Sequence, residues 1–121
     1  SQEKDIILGT FSMAAEGMDI PKLNTIILSS PKSDVVQAVG RILREKPEVR
    51  THNPLIIDYV DTHDNFGVFQ RQYTKRLAFY KKMKYQIKIH KSNGEIEDVK
   101  LTKRGRKKKE KVEIYETECL F

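Results

Sequence analysis

The stretch Thr25–Val60 reads TIILSSPKSDVVQAVGRILREKPEVRTHNPLIIDYV, and it contains two short apolar runs on either side of a helical pattern. The runs Thr25–Leu28 and Leu55–Val60 are nearly continuous, which predicts strands buried on both faces of a parallel sheet. Between them, Ser33 is a candidate N-cap for a helix, and Pro47 prevents that helix from continuing. The order strand, helix, strand is typical of an α/β fold.

The same pattern extends from this stretch in both directions. Upstream, Ile6–Leu8 form a third apolar run. Downstream, apolar and aromatic residues recur at three- and four-residue steps from Asn65 to Met83. These patterns predict another buried strand and a longer helix, with helices covering both faces of the sheet. Beyond them, two strand-like runs flank Ser92-Asn93-Gly94, which predicts a β-hairpin because Asn-Gly adopts positive φ angles readily.

The helix predicted over Ser33–Arg44 has two chemically different sides. A rotation of 100° per residue places the apolar side chains on one of them. These are Val35, Val36, Val39, Ile42 and Leu43. The opposite side carries Gln37, Gly40, Arg41 and Arg44. We expect the apolar side to pack on the sheet and the two arginines to reach one anion together.

Two sequence motifs lie in this part of the chain. Gly9–Pro21 reads GTFSMAAEGMDIP, and Gln37–Arg44 reads QAVGRILR. The first resembles motif V of superfamily-two helicases, and the second matches Q-x-x-G-R-x-x-R, their motif VI. Several pieces are similar in particular to helicases of large DNA viruses and phages. The resemblance covers roughly the first two thirds of the chain.

The resemblance implies a fold and a division of the chain. Residues 1–90 would be the C-terminal part of a second RecA-like helicase domain, with a parallel sheet covered by helices. Residues 91–121 would form a small β-hairpin and a basic C-terminal tail. The chain starts at Ser1 and enters a predicted strand almost at once, so we expect it to be a segment of a longer protein.

The resemblance also implies roles for individual residues. Arg41 and Arg44 would act as arginine fingers, which enter the cleft between two RecA-like domains and stabilise charge on the γ-phosphate of ATP. The nucleotide-binding residues would be Gly17, Asp19, Gln37 and Gly40. The nucleic-acid contacts would come from Thr10 and Ser12. The residue pattern alone leaves another interpretation open, namely a solvated amphipathic helix in which Arg41 pairs with Glu45.

Two parts of a complete helicase motor are missing from the sequence. There is no G-x-x-x-x-G-K-[ST] phosphate-binding loop and no D-E-x-[HD] magnesium site. The resemblance therefore implies that ATP binds together with a first RecA-like domain that lies outside this chain and holds the Mg²⁺ ion. The chain by itself is expected to be inactive.

The positive charge is concentrated in one segment. The chain carries a formal net charge of +6, whereas Lys100–Lys111 alone has eight basic residues and one acidic residue. Within it, the candidate nucleic-acid contacts are Lys103, Arg104, Arg106, Lys107 and Lys108. Non-specific phosphate binding, a solvated tail and a nuclear localisation signal all remain open for this segment.

The remaining residue patterns give no further site. His52, His63 and His90 do not have the spacing of metal ligands, so no metal site is predicted. Asp58, Asp61 and Asp64 are interpreted as polar loop residues after a strand. The lone Cys119 and the absence of a membrane-spanning run predict an intracellular, soluble protein. The resemblance to viral helicases implies a viral factory or the host nucleus as its location.

Two classes of function follow from these observations. The first is a segment of an ATP-dependent helicase or translocase that acts on DNA or RNA. The second is a non-catalytic nucleic-acid-binding module, which would use the lysine- and tyrosine-rich helix over Asn65–Met83 and the basic tail. The polarity of the motor, and whether it unwinds or only translocates, stay open.

Overall fold

The computed structural model describes residues 6–16, 23–30, 32–43, 48–49, 52–62, 65, 67–100 and 111–117. The described helices are α1 (Phe11–Glu16), α2 (Val36–Ile42) and α3 (Val68–Lys82). The described strands are β1 (Thr25–Leu28), β2 (Leu55–Asp61), β3 (Gln86–His90), β4 (Ile96–Val99) and β5 (Lys111–Thr117). None of these helices is long and apolar enough to cross a membrane.

The strands form one mostly parallel sheet in the order β1-β2-β5-β3-β4. Strands β1, β2, β5 and β3 run parallel to one another, and β4 pairs antiparallel with β3. The predicted α/β class is therefore confirmed, as are the helix α3 and the β3–β4 hairpin. Gly94 has a φ angle of 88° in the hairpin turn, a value that favours glycine.

Helices α2 and α3 pack on the same face of the sheet. Their buried side chains belong to one hydrophobic core with Leu28 of β1, Ile56 of β2 and Ile114 of β5. Both crossovers, from β1 to β2 and from β2 to β3, advance in the same direction along the sheet. Because such crossovers are right-handed, both helices must lie on one side. The expectation of helices on both faces is thus not met by the described residues, and Tyr59, on the other face of β2, is 41% exposed.

Strand β5 lies at the centre of the sheet, between β2 and β3. No strand is predicted here from the sequence, and the residues were expected to belong to a basic tail. The side chains of Val112 and Ile114 are fully buried in the core, whereas Glu113 and Tyr115 lie on the other face. The predicted basic tail is therefore followed by a central strand. The division between residues 90 and 91 stays a prediction, although the sheet contains strands from both sides of it.

The prediction of a strand over Ile6–Leu8 is wrong for this structure. These residues are in irregular conformation, and Ile6 and Leu8 are 82% and 92% exposed. An apolar run becomes a buried strand only if neighbouring strands take up its backbone hydrogen bonds and other layers cover its side chains. Neither condition is met for this run by the part of the chain that the structure describes.

Candidate functional site

The residues of the two motifs meet where α1 and α2 lie side by side, with α2 packed against the edge strand β1. Helix α1 starts directly after Thr10, whose side-chain oxygen accepts a hydrogen bond from the backbone N–H of Met13 at 3.3 Å. Thr10 therefore acts as an N-cap. Thr10 and Ser12 are both exposed, so their side chains are accessible from solvent. Their predicted contacts with nucleic acid stay a prediction.

Helix α2 has the two predicted sides. Ala38, Val39 and Ile42 are buried against the sheet, whereas Gln37 and Gly40 are exposed. Val36 departs from the prediction because it is 50% exposed; it is the first residue of the helix and lies at the margin of the apolar stripe. The carboxylate of Asp34 accepts a hydrogen bond from the backbone N–H of Val36 at 3.1 Å. Asp34 lies one residue after Ser33, the predicted N-cap.

Arg41 connects the two motifs. Its Nε–H donates a hydrogen bond to the backbone carbonyl of Ala14 in α1, at 3.0 Å. The side chain is only partly exposed, because it contacts α1 instead of extending straight into solvent. The arginine of the second motif is thus held by the backbone of the first, across a separation of 27 residues.

A second contact attaches α1 to the loop that precedes α2. The ammonium group of Lys32 lies 4.8 Å from the ring centroid of Phe11, the first residue of α1. This distance is within the range of a cation–π interaction. Helix α1 is therefore attached at its start through Phe11 and in its second half through Ala14.

Gly40 is not required by the packing of the described residues. A Cβ atom added at this position would meet no atom within 4 Å. Its φ angle is not in the left-handed region, so the backbone does not demand glycine either. Within a helix, glycine is less stable than alanine by about 1 kcal/mol. The residue leaves open space beside Arg41 and Gln37, on the exposed side of α2.

A buried polar network centred on Asp58 was not predicted from the sequence. Asp58 was interpreted as a loop residue, but it is in the middle of β2 and is fully buried. Its carboxylate accepts hydrogen bonds from Nε of Arg76 at 2.8 Å, from Nη2 of Arg76 at 3.0 Å and from the Tyr80 hydroxyl at 2.8 Å. Arg76 is only 2% exposed. The pair is a bidentate, charge-assisted one.

The network keeps Tyr80 neutral, as a hydrogen-bond donor. Burial raises the pKa of Tyr80 far above its ordinary value, and the negative charge of Asp58 raises the pKa further. The hydroxyl consequently keeps its proton and donates a hydrogen bond to the carboxylate. Two features of the sequence could have indicated the network. Asp58 interrupts an apolar run, and Arg76 lies between Tyr73 and Tyr80 on the buried stripe of α3.

Several predicted site residues lie outside the described residues, and their roles stay predictions. They are Gly17, Asp19, Arg44, Lys103, Arg104, Arg106, Lys107 and Lys108. Glu45, the alternative partner of Arg41, is in the same position. Within the described ranges, no group of three or more His, Cys, Asp or Glu side chains has a geometry that could hold a metal ion.

Comparison with known proteins gives relatives in large DNA viruses. Over 87 residues the chain is 45% identical to a protein of Acanthamoeba polyphaga mimivirus named "Putative ATP-dependent RNA helicase L396", which covers 72% of this chain. Over 78 residues it is 37% identical to "Putative helicase 161L" of Invertebrate iridescent virus 6, which covers 64%. The chain spans only 16% of the length of each of these two relatives.

A third relative is similar to the chain over most of its own length. This is "Uncharacterized protein 108L" of Invertebrate iridescent virus 3, which is 34% identical over 79 residues that make up 64% of this chain and 69% of that protein. No family model matches the chain, and no solved structure matches it. The similarity to the two proteins named helicases agrees with the resemblance of the two motifs. The chain therefore belongs to a family of helicase-related proteins of large DNA viruses.

Proposed function

We propose that this chain is the C-terminal segment of an ATP-dependent superfamily-two helicase or translocase. The observation that carries the proposal is the hydrogen bond from Arg41 to the carbonyl of Ala14, which brings the two helicase-like motifs together on one exposed surface. In a motor of this class, ATP lies in a cleft between two RecA-like domains. This chain would supply one wall of that cleft, and a first domain outside the chain would supply the other.

In the proposed cleft, Arg41 and Arg44 stabilise the charge that develops on the γ-phosphate. A guanidinium suits this task because it is permanently charged and its planar donors match phosphate oxygens. Gln37 and Gly40 lie on the same exposed side of α2 as Arg41 and would face the nucleotide, together with Gly17 and Asp19. The Mg²⁺ ion would be held by the first domain, since the D-E-x-[HD] motif that the resemblance assigns to it does not occur in this sequence.

Thr10 and Ser12 lie at the start of α1, next to the proposed cleft, and would contact the nucleic-acid backbone. Hydroxyl side chains at exposed helix starts are suited to phosphate oxygens. The mimivirus relative is named an RNA helicase, whereas the name of the iridescent virus relative specifies no nucleic acid. Both RNA and DNA are therefore candidate substrates for this chain.

The proposal predicts that ATP hydrolysis requires more than this chain. The isolated chain should not hydrolyse ATP above the buffer rate, with or without DNA or RNA, because it has no phosphate-binding loop. Joined to a first RecA-like domain from one of its longer viral relatives, it should complete the cleft and hydrolyse ATP. Phosphate release measured for both proteins tests this. Hydrolysis by the isolated chain that disappears in Arg41→Ala would contradict the proposed division of labour.

Gly40→Ala is expected to change stability and activity in opposite directions. The isolated chain should gain about 0.5–1 kcal/mol in the free energy of unfolding, because alanine favours the helix and its methyl group meets no atom. In the two-domain protein, the same methyl group should obstruct the approach of the nucleotide and raise its Kd. Urea unfolding and nucleotide titration measure the two effects. A stabilised variant with unchanged nucleotide affinity would show that Gly40 does not belong to the nucleotide-binding site.

A second candidate function, a non-catalytic nucleic-acid-binding module, is favoured by the composition of α3. Helix α3 contains no acidic residue. On its exposed side and just beyond its end lie Lys75, Lys81, Lys82 and Lys84. These ammonium groups could bind phosphates at a surface distinct from the two motifs. The basic residues Lys103–Lys108 offer a further positive segment, which connects β4 to β5.

The contribution of that connecting segment can be tested by neutralising it. Deletion is unsuitable because β5 starts at Lys111 and lies in the centre of the sheet. Replacing Lys103, Arg104, Arg106, Lys107 and Lys108 with glutamine should instead weaken duplex DNA binding and make its log–log salt dependence shallower by about 4–5, if each contacts a phosphate. The matched control carries glutamine at the four lysines of α3 and its end. A salt-dependence slope that changes only in the control would show that the lysines of α3, and not the connecting segment, bind the DNA.

A further inference from the structure

The guanidinium of Arg76, on α3, contacts two other parts of the fold. Besides its two hydrogen bonds to Asp58 in β2, its Nη1 donates a hydrogen bond of 2.6 Å to the backbone carbonyl of Lys32. Arg76 itself belongs to α3, and Lys32 belongs to the loop that connects β1 to α2. A single buried side chain thus joins the central sheet, the long helix and the loop that leads into the motif-bearing helix.

The position of the Lys32 carbonyl matters because α2 begins only four residues later, at Val36. The intervening residues are already constrained, since Asp34 accepts the N–H of Val36 and Val35 is buried in the core. A fixed carbonyl at Lys32 therefore defines where this short loop enters the helix. The rotation of α2 about its axis, and its position along that axis, determine in turn where Gln37, Gly40 and Arg41 lie.

A second path runs from Lys32 through its side chain. The ammonium group lies over the ring of Phe11 at the start of α1, and the carbonyl of Ala14 in α1 accepts the Nε–H of Arg41. Lys32 is consequently connected to Arg41 twice, once along the backbone of α2 and once through α1. Both connections begin at the residue whose carbonyl Arg76 holds.

From these contacts we propose that Arg76 is a positioning residue for Arg41. This inference rests on the proposed function, because Arg41 needs a defined orientation only if it acts on the nucleotide. The guanidinium is suited to the role because its fork can bind both oxygens of Asp58 while a third N–H reaches Lys32. A lysine can pair with Asp58, but its single nitrogen cannot reproduce this geometry.

The test uses the side-chain Nε–H signal of Arg41 in ¹H–¹⁵N NMR spectra of the full chain, assigned by its loss in Arg41→Lys. In Arg76→Lys, exchange of this proton with water should accelerate by about fivefold or more, which corresponds to the loss of one hydrogen bond's net contribution. Tyr80→Phe is the matched control. It removes a bond to the same carboxylate but does not touch the contact between Arg76 and Lys32.

The two variants separate positioning from general stability. The proposal expects Tyr80→Phe to lower the free energy of unfolding while leaving the Arg41 exchange rate within about twofold. If both variants accelerate exchange in proportion to their loss of stability, Arg76 is only structural and the proposal fails. If Arg76→Lys does not fold, the combined replacement of Asp58 with leucine, Arg76 with methionine and Tyr80 with phenylalanine provides the test. It removes the hydrogen bond to the Lys32 carbonyl without leaving a buried charge unpaired, and it should also accelerate exchange. An unchanged rate there overturns the proposal.

This measurement needs neither ATP nor a second domain, so its failure can be told apart from failure of the proposed function. Normal ATP turnover in Arg41→Ala would disprove the arginine finger and leave the effect of Arg76 on the Arg41 signal intact. Conversely, an Arg41 signal that does not change when Arg76 is substituted would exclude the positioning role and leave the arginine finger to be judged on turnover alone.

Discussion

Replacing Arg41 with alanine, in a protein that joins this chain to a first RecA-like domain, is expected to lower ATP turnover by about a thousandfold or more. An arginine finger contributes roughly 4 kcal/mol or more to transition-state stabilisation, which corresponds to that factor. Arg41→Lys should remain strongly impaired, because a point charge cannot reproduce the planar fork. Nucleotide affinity should fall much less than kcat in both variants. Steady-state phosphate release and nucleotide titration measure these quantities.

Stability provides the control for this experiment. Arg41→Ala removes the hydrogen bond to Ala14, which is worth about 1 kcal/mol, so thermal unfolding should shift only slightly. Arg71→Ala, at an exposed arginine of α3, is the matched variant for loss of a surface guanidinium. If Arg41→Ala keeps near-normal turnover, or loses it only because the domain unfolds, the arginine finger is excluded. The solvated amphipathic helix would then be the better interpretation.

Local patterns were sufficient to predict the elements whose surroundings lie nearby in the sequence. Strands β1 and β2, helix α3 and the hairpin were all predicted from apolar periodicity and turn residues. So was the arrangement of α2, with Val39 and Ile42 buried and Gln37 and Gly40 exposed. In each case the apolar periodicity and the turn residues that predict the element lie within the element itself or next to it along the chain.

The errors concern contacts that are remote in sequence. Strand β5 follows a block of lysines and arginines. Because that block was interpreted as a basic tail, the alternation of Val112 and Ile114 with polar neighbours was not recognised as a strand. Ile6–Leu8 has the pattern of a buried strand but lacks partners among the described residues, so its pattern alone could not decide its conformation. Asp58 looked like a loop residue because its partner, Arg76, is 18 residues away and on another element.

Asp58 is expected to be the residue whose substitution destabilises the chain most. In Asp58→Asn, the buried guanidinium of Arg76 loses its counter-charge while remaining almost inaccessible to water. Removing one partner of a buried ion pair costs about 3–5 kcal/mol. That is a large share of the roughly 5–15 kcal/mol that stabilises a typical domain, so the urea midpoint of the variant should fall substantially. Urea unfolding followed by circular dichroism measures the loss.

The decisive comparison is with a variant that removes the whole network. Replacing Asp58 with leucine, Arg76 with methionine and Tyr80 with phenylalanine leaves no unpaired charge or hydroxyl, and exchanging a buried ion pair for apolar residues of similar volume is often neutral. The triple variant should therefore be more stable than Asp58→Asn, although it has lost more hydrogen bonds. A triple variant that is at least as unstable as the single one would mean that the network contributes net stability, not merely mutual compensation.

The triple variant should still lose the contact to the Lys32 carbonyl, because methionine has no N–H to donate. Stability recovered without that contact would show that the fold tolerates an apolar core here. Faster exchange of the Arg41 Nε–H in the same variant would then assign the position of α2 to the charged network.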